Sequence, residues 1–377
     1  MAAKRPSIAT KLALMWARRQ ARKHPPAAFS PLAPDSQARI LVVNTTGIGD
    51  TIFATAPIAD LRESFPNAYI AAFVDRRRLE LLAGNPRLNS VIPYAGKFRA
   101  VRATREKLRG FDVAIIQHAN DPDVVPLVAS AQPKALVGYA SHTFSLLYSI
   151  KLPPADRAGG AHTLDARLAL TRAAGAAGTH WHTELYPSSE HHALAQKALA
   201  AAGLEPGQAI ALNIGGSQAS KRWPAEHWSA LLQLLSRRGM QAVILGGPAE
   251  AADARRLLAP YWDKGRSASL FGSPTRALAG SLPFMASAAL LKLCGAHISG
   301  DTGLMQAGLA LDVPTVALFG PDDPAWTGPY PRQLRTVVLG GGTQAKDRRK
   351  EDQRLMGAIT PQAVLAALDA LIPGSKP

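Results

Sequence analysis

Four short turns carry the side chains in this chain whose types and spacing suit chemistry. The first is Gly47-Ile48-Gly49-Asp50, after the apolar run 38–46 that ends in Thr45-Thr46. A carboxylate at a strand end can take a proton from an attacking hydroxyl, so Asp50 is a candidate general base; the plainer role is to cap the following helix. The second turn runs from Gly215 to Pro224. Gly215 and Gly216 let the backbone approach a ligand closely, Ser217 adds a hydroxyl, and Lys221 with Arg222 can neutralise a diphosphate. That neutralisation is what a nucleotide leaving group needs as its glycosidic bond breaks, although a solvated basic loop would look the same in sequence. In the third turn, 246–250, Glu250 can meet ribose hydroxyls or simply occupy a helix first turn, where the dipole favours a carboxylate. The fourth, Gly300-Asp301-Thr302-Gly303, opens a helix whose free N–H groups and partial positive charge suit a phosphate. There Asp301 and Thr302 are both good cap types, and Asp301 either caps or binds a hydroxyl.

Several chemistries are disfavoured. Gly47-x-Gly49 lacks the third glycine of a dinucleotide fingerprint, and no Gly-Lys-Ser/Thr follows it, so neither a dehydrogenase nor a P-loop is expected. The ten histidines lack metal-ligand spacing, and there is no G-x-S-x-G elbow; no metal site is expected. The single cysteine, Cys294, lies in an apolar run and reads as a buried thiol in a reducing compartment. With 43 Lys+Arg against 27 Asp+Glu the net charge is +16, which favours an anionic partner. Only 6% of residues are aromatic and no nucleic-acid motif occurs, so a phosphorylated or lipid partner is favoured over nucleic acid. No apolar run approaches the ~20 residues of a membrane-spanning helix.

The elements that must position these turns alternate strand with helix. Apolar strands are expected at 38–46, 68–75, 90–94, 111–118 and 134–140, with helices at 51–65 and 76–86. After a looser stretch, 141–190, holding a helix at 162–178, the pattern restarts. Strands follow at 209–216, 242–248, 296–299, 315–319 and 336–342, with helices at 223–239, 249–258, 282–296, 303–311 and 360–372 and a polar loop at 343–354. Such alternation predicts an α/β fold of two doubly wound parallel sheets, with ligands outside the carboxyl ends of the strands. The expected divisions are a basic leader and Pro-rich linker (1–37), an N-terminal domain (38–190), a C-terminal domain (191–358) and a final helix and tail (359–377). In the leader, Ile8, Leu12, Met15 and Trp16 fall near one helical face and Lys11, Arg18, Arg19, Arg22 and Lys23 elsewhere. It either lies on an anionic membrane surface or is a solvated tail.

Taken together, ILVVNTTGIGD from 40, ALNIGGSQASKRWPAEHWSALL (211–232), VILGGPAE (243–250) and SGDTGLMQAGLALDVPTVALFGPDDP (299–324) resemble glycosyltransferase family 9, the bacterial heptosyltransferases of lipopolysaccharide core synthesis. The resemblance covers about residues 38–372. It implies a GT-B fold, two Rossmann-like domains facing a cleft. It also implies inverting, metal-independent transfer of a heptose from ADP-heptose to a lipid-linked sugar, with no cofactor beyond that donor. Carried over by position, Asp50 matches the base, with Thr46, Gly47 and Gly49 on the acceptor side. Gly216, Ser217 and Lys221 match the donor-phosphate turn, and Glu250 the acid that meets the ribose. Leu282 falls beside the adenine, and Asp301, Thr302 and Gly303 match the donor-site turn. Two departures bear on donor and acceptor identity: Asn44 stands where the family usually has Arg or Lys, and Gln306 where it often has His.

The expected partners are a nucleotide sugar, an anionic glycolipid and, through the leader, a membrane surface. A cytoplasmic monomer, peripheral on the inner membrane, is the expected state. A sugar-nucleotide epimerase or hydrolase of the same shape, or a non-catalytic glycolipid-binding module, are the competing readings.

Overall fold

The apolar runs fold as parallel strands because both faces of each sheet are covered, which is why they read as near-continuous hydrophobic stretches. The computed structural model describes residues 7–157, 159–263, 267–270, 273–331, 333, 335–340 and 354–372. The chain divides into two compact units, Met1–Tyr186 and Pro187–Pro377.

The first unit contains α1 (Ile8–Lys23), β1 (Arg39–Asn44), α2 (Ile48–Phe53), α3 (Thr55–Ser64), β2 (Tyr69–Asp75), β3 (Ser90–Tyr94), α4 (Val101–Lys107), β4 (Val113–His118), α5 (Val124–Ser130), β5 (Ala135–Tyr139), β6 (Ile150–Leu152) and α6 (Thr163–Ala173). Its six strands run parallel in the order β3-β2-β1-β4-β5-β6, the Rossmann order, with the switch point between β1 and β4. There Val43 pairs with Ile116 but Asn44 pairs with His118, so Gln117 is an extra residue and β4 carries a bulge at its end. The core of this unit packs Leu41, Val43, Phe73, Ile116 and Val125 together, with Phe73 edge-on to Tyr94 at 5.7 Å.

The second unit contains α7 (Ser189–Ala201), β7 (Ala209–Asn213), α8 (Ala225–Arg237), β8 (Gln241–Leu245), α9 (Ala251–Leu258), β9 (Trp262–Asp263), β10 (Ser267–Leu270), β11 (Ser273–Ala277) and α10 (Phe284–Leu291). It continues through β12 (Ala296–Gly300), α11 (Gly303–Ala310), β13 (Thr315–Phe319), α12 (Pro324–Thr327), β14 (Thr336–Gly340), α13 (Arg354–Gly357) and α14 (Pro361–Leu371). The sheet order is β14-β13-β12-β7-β8-β11-β10-β9. Six parallel strands repeat the Rossmann order, and β10 and β9 extend the edge antiparallel. The switch point here lies between β7 and β12. The tryptophans of the KRWPAEHW segment anchor the turn before α8. Trp223 meets Trp228 edge-on at 4.8 Å and donates its ring N–H to the carbonyl of Ile359 at 2.9 Å, while both rings join the core with Leu231 and Leu368.

Several expectations are corrected. The helix expected from residue 51 begins at Ile48 and breaks at Ala54, and its cap position is Gly47. Asp50 therefore lies inside the first turn and does not cap the helix. The segment 76–86 forms only a 3₁₀ turn, Arg76–Leu81, and 141–190 contains the short strand β6. The strands from 262 to 277 fall where no element was expected. The leader is part of the first unit: Ala17 of α1 is fully buried in its core, and Leu32 of the Pro-rich segment donates its N–H to Ala174 at 2.9 Å. The two units meet in sequence four residues before the expected position. Helix α14 packs in the second unit's core, so 359–372 is no separate appendage. All but Arg354 of the polar loop at 343–354 lies outside the described residues.

Candidate functional site

Most of the residues singled out in sequence gather about the two switch points, one in each unit, whereas Leu282 lies apart, between β11 and α10. In the first unit, β1 ends at the buried Asn44 and α2 carries Asp50 just beyond it. The Asp50 Oδ1 accepts from Arg167 Nη2 at 2.7 Å and lies 3.0 Å from His118 Nδ1. Arg167 also donates through Nη1 to the Asp50 carbonyl at 3.0 Å and to Asn44 Oδ1 at 3.4 Å. Thr46 Oγ1 lies 3.1 Å from His118 Nδ1, and Asn44 Nδ2 donates to Thr51 Oγ1 at 3.1 Å.

The Arg167 side chain is 7% exposed, against 31% for Asp50 and 40% for His118, so a buried cation holds a carboxylate that solvent reaches. Burial alone pushes the Asp50 carboxyl up. The His118 hydrogen bond, the Arg167 charge and the Thr46 hydroxyl outweigh it, and the group stays well below the usual carboxylate range. Burial pulls the Arg167 guanidinium down, and the Asp50 charge opposes that. Of the acceptor-side residues, Thr46 joins the cluster, Gly47 takes the cap position, and Gly49 lies in the first turn of α2.

Sequence reasoning missed Arg167 and His118. The only signal for Arg167 was a basic residue among the alanines and leucines of the pattern LDARLAL, which also holds Asp165. His118 was hidden by the bulge, which turns it to the face of Asn44.

In the second unit, Lys221 follows β7 and reaches across the switch point. Its Nζ lies 2.7 Å from Asp301 Oδ2 and also contacts the carboxylate of Asp322, which the sequence had not marked. Burial pulls Lys221 down, but the two carboxylates overcome it and keep the ammonium charged. Burial and the neighbouring Asp322 push Asp301 up, against the opposing pull of Lys221. The group as a whole is two carboxylates around one ammonium.

Thr302, not Asp301, caps α11: its hydroxyl accepts from the Met305 N–H at 3.2 Å and donates to Asn213 Oδ1 at 3.2 Å. This frees the Asp301 carboxylate for Lys221 and leaves Gly303 as the first helical residue. Glu250 folds back to accept from the Gly247 N–H at 2.8 Å and covers Gly215, where a Cβ would lie 2.9 Å from Glu250 Cγ. Arg222 donates to the Gly216 carbonyl at 2.9 Å and so closes the turn. Ser217 is exposed on that turn, and Leu282 is half-buried two residues before α10. Gln306 is buried and donates to the Thr327 carbonyl at 2.8 Å, tying α11 to α12. Among the described residues no group of three or more His, Cys, Asp or Glu is placed to hold a metal ion.

Two Rossmann-like units with polar clusters at the carboxyl ends of their central strands define the GT-B class of glycosyltransferase. The sequence pattern of glycosyltransferase family 9 (heptosyltransferase) matches residues 102–357, more than half the chain, and the protein belongs to that family. It is 31% identical over 156 residues to lipopolysaccharide heptosyltransferase 2 of Salmonella typhimurium, a match covering 41% of this chain and 43% of the relative. It is 29% identical over 374 residues to lipopolysaccharide heptosyltransferase 1 of Pseudomonas aeruginosa, covering 89% of this chain and 98% of that one. The fold matches a family 9 glycosyl transferase from Veillonella parvula with a TM-score of 0.77 at 22% identity, over 92% of this chain and 99% of the other. It also matches the ADP-heptose lipopolysaccharide heptosyltransferase II of Escherichia coli with a TM-score of 0.71 at 24% identity, over 88% and 98%. At Asn44, one of the two departures from the family pattern, Arg167 brings a guanidinium from α6 to within 3.4 Å of Oδ1.

Proposed function

We propose that this glycosyltransferase moves a heptose or related sugar, with inversion, from an ADP-sugar to the lipopolysaccharide core or another anionic glycolipid. The observation that carries this reading is Asp50: a solvent-reached carboxylate at the β1/β4 switch point, kept ionised by Arg167 and His118. Both partners engage Oδ1, and the acceptor hydroxyl delivers its proton to Oδ2 as its oxygen attacks the anomeric carbon. A carboxylate this acidic is a weak base, but it is always in its accepting form and also stabilises positive charge developing on the sugar ring.

The donor is assigned to the second unit. Lys221 and the free N–H groups at the start of α11 neutralise the diphosphate as the glycosidic bond breaks, so no metal is required of the mechanism. Glu250 meets the ribose, Leu282 lies beside the adenine, and Gly216 and Ser217 border the phosphates. The names of the relatives support the heptose donor and the lipopolysaccharide acceptor. No helix among the described residues is long and apolar enough to cross a membrane, and we assign the protein to the cytoplasmic face of the inner membrane as a peripheral monomer.

The test is to incubate the protein with ADP-heptose and other nucleotide sugars, with and without a lipid A–Kdo acceptor. Nucleotide release that requires the acceptor is the expected result. Release without acceptor indicates an epimerase or hydrolase, and no release at all indicates a binding module. Asp50→Ala is expected to lose turnover while keeping donor affinity, and Lys221→Ala to weaken donor binding.

A further inference from the structure

The described residues include seven exposed large apolar side chains: Ile8, Leu12, Met15, Phe98, Val101, Leu194 and Val338. The first three lie on one helix, α1, and the next two on and just before α4. Ile8, Leu12 and Met15 are 77%, 61% and 65% exposed, and follow one another at the spacing of one helical face, opposite the buried Ala17. Arg19 and Arg22 continue the same stripe toward the carboxyl end of the helix. Between α1 and α4 runs a groove of about 850 Å³ whose lining includes Leu12, Trp16, Phe98, Val101, Arg102 and Arg105.

Phe98 is held outward at a cost. Its φ is +56°, in the left-handed region that aromatic residues avoid, and the Asp123 carboxylate accepts its N–H at 2.6 Å. Ala100, two residues on, has φ +48°. The bond to Asp123 holds this turn in its left-handed form, and the turn presents the phenyl ring to solvent beside Leu12 and Trp16 of α1.

The charge on this face is predominantly basic. Residues 8–23 contain Lys11, Arg18, Arg19, Arg22 and Lys23 and no carboxylate, and 95–105 contain Lys97, Arg99, Arg102 and Arg105 and no carboxylate. Of the acids beside it, Asp123 is buried and bonded to Tyr94 and Phe98, Glu106 is paired with Arg105 and Arg109, and Asp121 lies by the Tyr94 hydroxyl and Arg77.

We propose that the face formed by α1 and the 97–102 turn is the surface by which this protein docks on an anionic phospholipid bilayer. Ile8, Leu12, Met15, Phe98 and Val101 enter the acyl boundary, and the surrounding arginines and lysines meet lipid phosphates. Apolar insertion combined with a basic surround is the physical signature of an interfacial element, and the folded first unit presents both parts together. The assignment is independent of which sugar is moved, and its test uses no enzymatic activity.

The experiment is flotation of the full chain with vesicles of phosphatidylcholine alone or mixed with phosphatidylglycerol, at low and high salt. Binding is expected only to the anionic vesicles. The pairs Leu12→Glu with Met15→Glu, and Phe98→Glu with Val101→Glu, are each expected to weaken partitioning by about tenfold or more. Each removed arginine (Arg19→Gln, Arg22→Gln) should weaken it by about fivefold. Because these side chains are exposed, the thermal midpoint should not change, and Leu194→Glu in the second unit should bind as the wild type does. Equal binding to neutral vesicles, no binding to either, or wild-type binding by the glutamate variants would overturn the assignment. An equal loss in Leu194→Glu would overturn it too.

Discussion

Arg167→Met tests whether the Asp50 cluster is held together by a buried cation. The guanidinium is 7% exposed and makes three contacts, to Asp50 Oδ1 at 2.7 Å, the Asp50 carbonyl at 3.0 Å and Asn44 Oδ1 at 3.4 Å. Removing one partner of a buried, hydrogen-bonded pair typically costs about 3–5 kcal/mol. Because Asp50 is partly solvated the lower end applies, and ~3 kcal/mol in a unit of this size lowers the unfolding midpoint by about 6–12 °C. The comparison is Asp50→Asn, which keeps an acceptor for Arg167 and should cost only ~1–2 kcal/mol. The double variant should be less destabilised than the sum of the two by at least ~1 kcal/mol.

The sign with pH is definite. The folded Asp50 carboxyl lies below its ordinary value of 3.8, so its stabilisation is fully present above that pH and is lost as pH falls through it toward the lowered folded value. Arg167→Met forfeits part of it at neutral pH. The assay is thermal unfolding of the three variants, followed by circular dichroism, with turnover measured alongside. A midpoint within 1 °C of wild type (about the precision of a well-behaved melt) or strict additivity would refute the account.

Three further outcomes follow from the geometry. His297 is fully buried with no hydrogen-bond partner on either ring nitrogen among the described residues, and burial pushes it down to about 3 from an ordinary 6.5. The unfolded chain takes the proton first as pH drops below 6.5, so stability should fall by about 2 kcal/mol at pH 5; His297→Leu should remove that loss in urea titrations at pH 5 and 7.5. Asp322→Ser leaves Lys221 with one carboxylate partner in place of two. It should tighten ADP binding by about fivefold in calorimetry, and unchanged or weaker affinity would count against the assignment of Lys221 to the diphosphate. Thr302→Val removes the cap on Met305 and the bond to Asn213, at about 1 kcal/mol of stability, seen as a midpoint lowered by a few degrees.

The backbone scaffold was largely legible because parallel strands covered on both faces leave continuous apolar runs, and because Gly-Asp turns mark where such strands stop. β6 and the β10–β11 hairpin were not, since three residues of Ile-Lys-Leu or a Ser-rich run give no periodicity to read. The cap at α11 was ambiguous because Asp301 and Thr302 are both good caps, and only the geometry shows that Lys221 claims the first and leaves the second to the helix. Asp322 gave no sign of its part, being more than 100 residues from Lys221. Arg167 illustrates the general difficulty: a side chain that acts through contacts 117 positions away in sequence leaves no local pattern, only a charge on the buried side of a helix that also carries Asp165 and Arg172.

The bulge in β4 has a consequence for how substitutions in that strand should be interpreted. Alternation counted from Val113 assigns odd positions to one face and even positions to the other, and the added Gln117 exchanges the two at the strand's last residue. Regular pairing would set the Gln117 carboxamide beside Asn44; instead the imidazole of His118 takes that place. The extra residue is thus a frame shift in three dimensions that selects which chemical group stands next to Asp50. Deleting Gln117 would therefore remove the bulge, set five residues against five, and still leave His118 opposite Asn44.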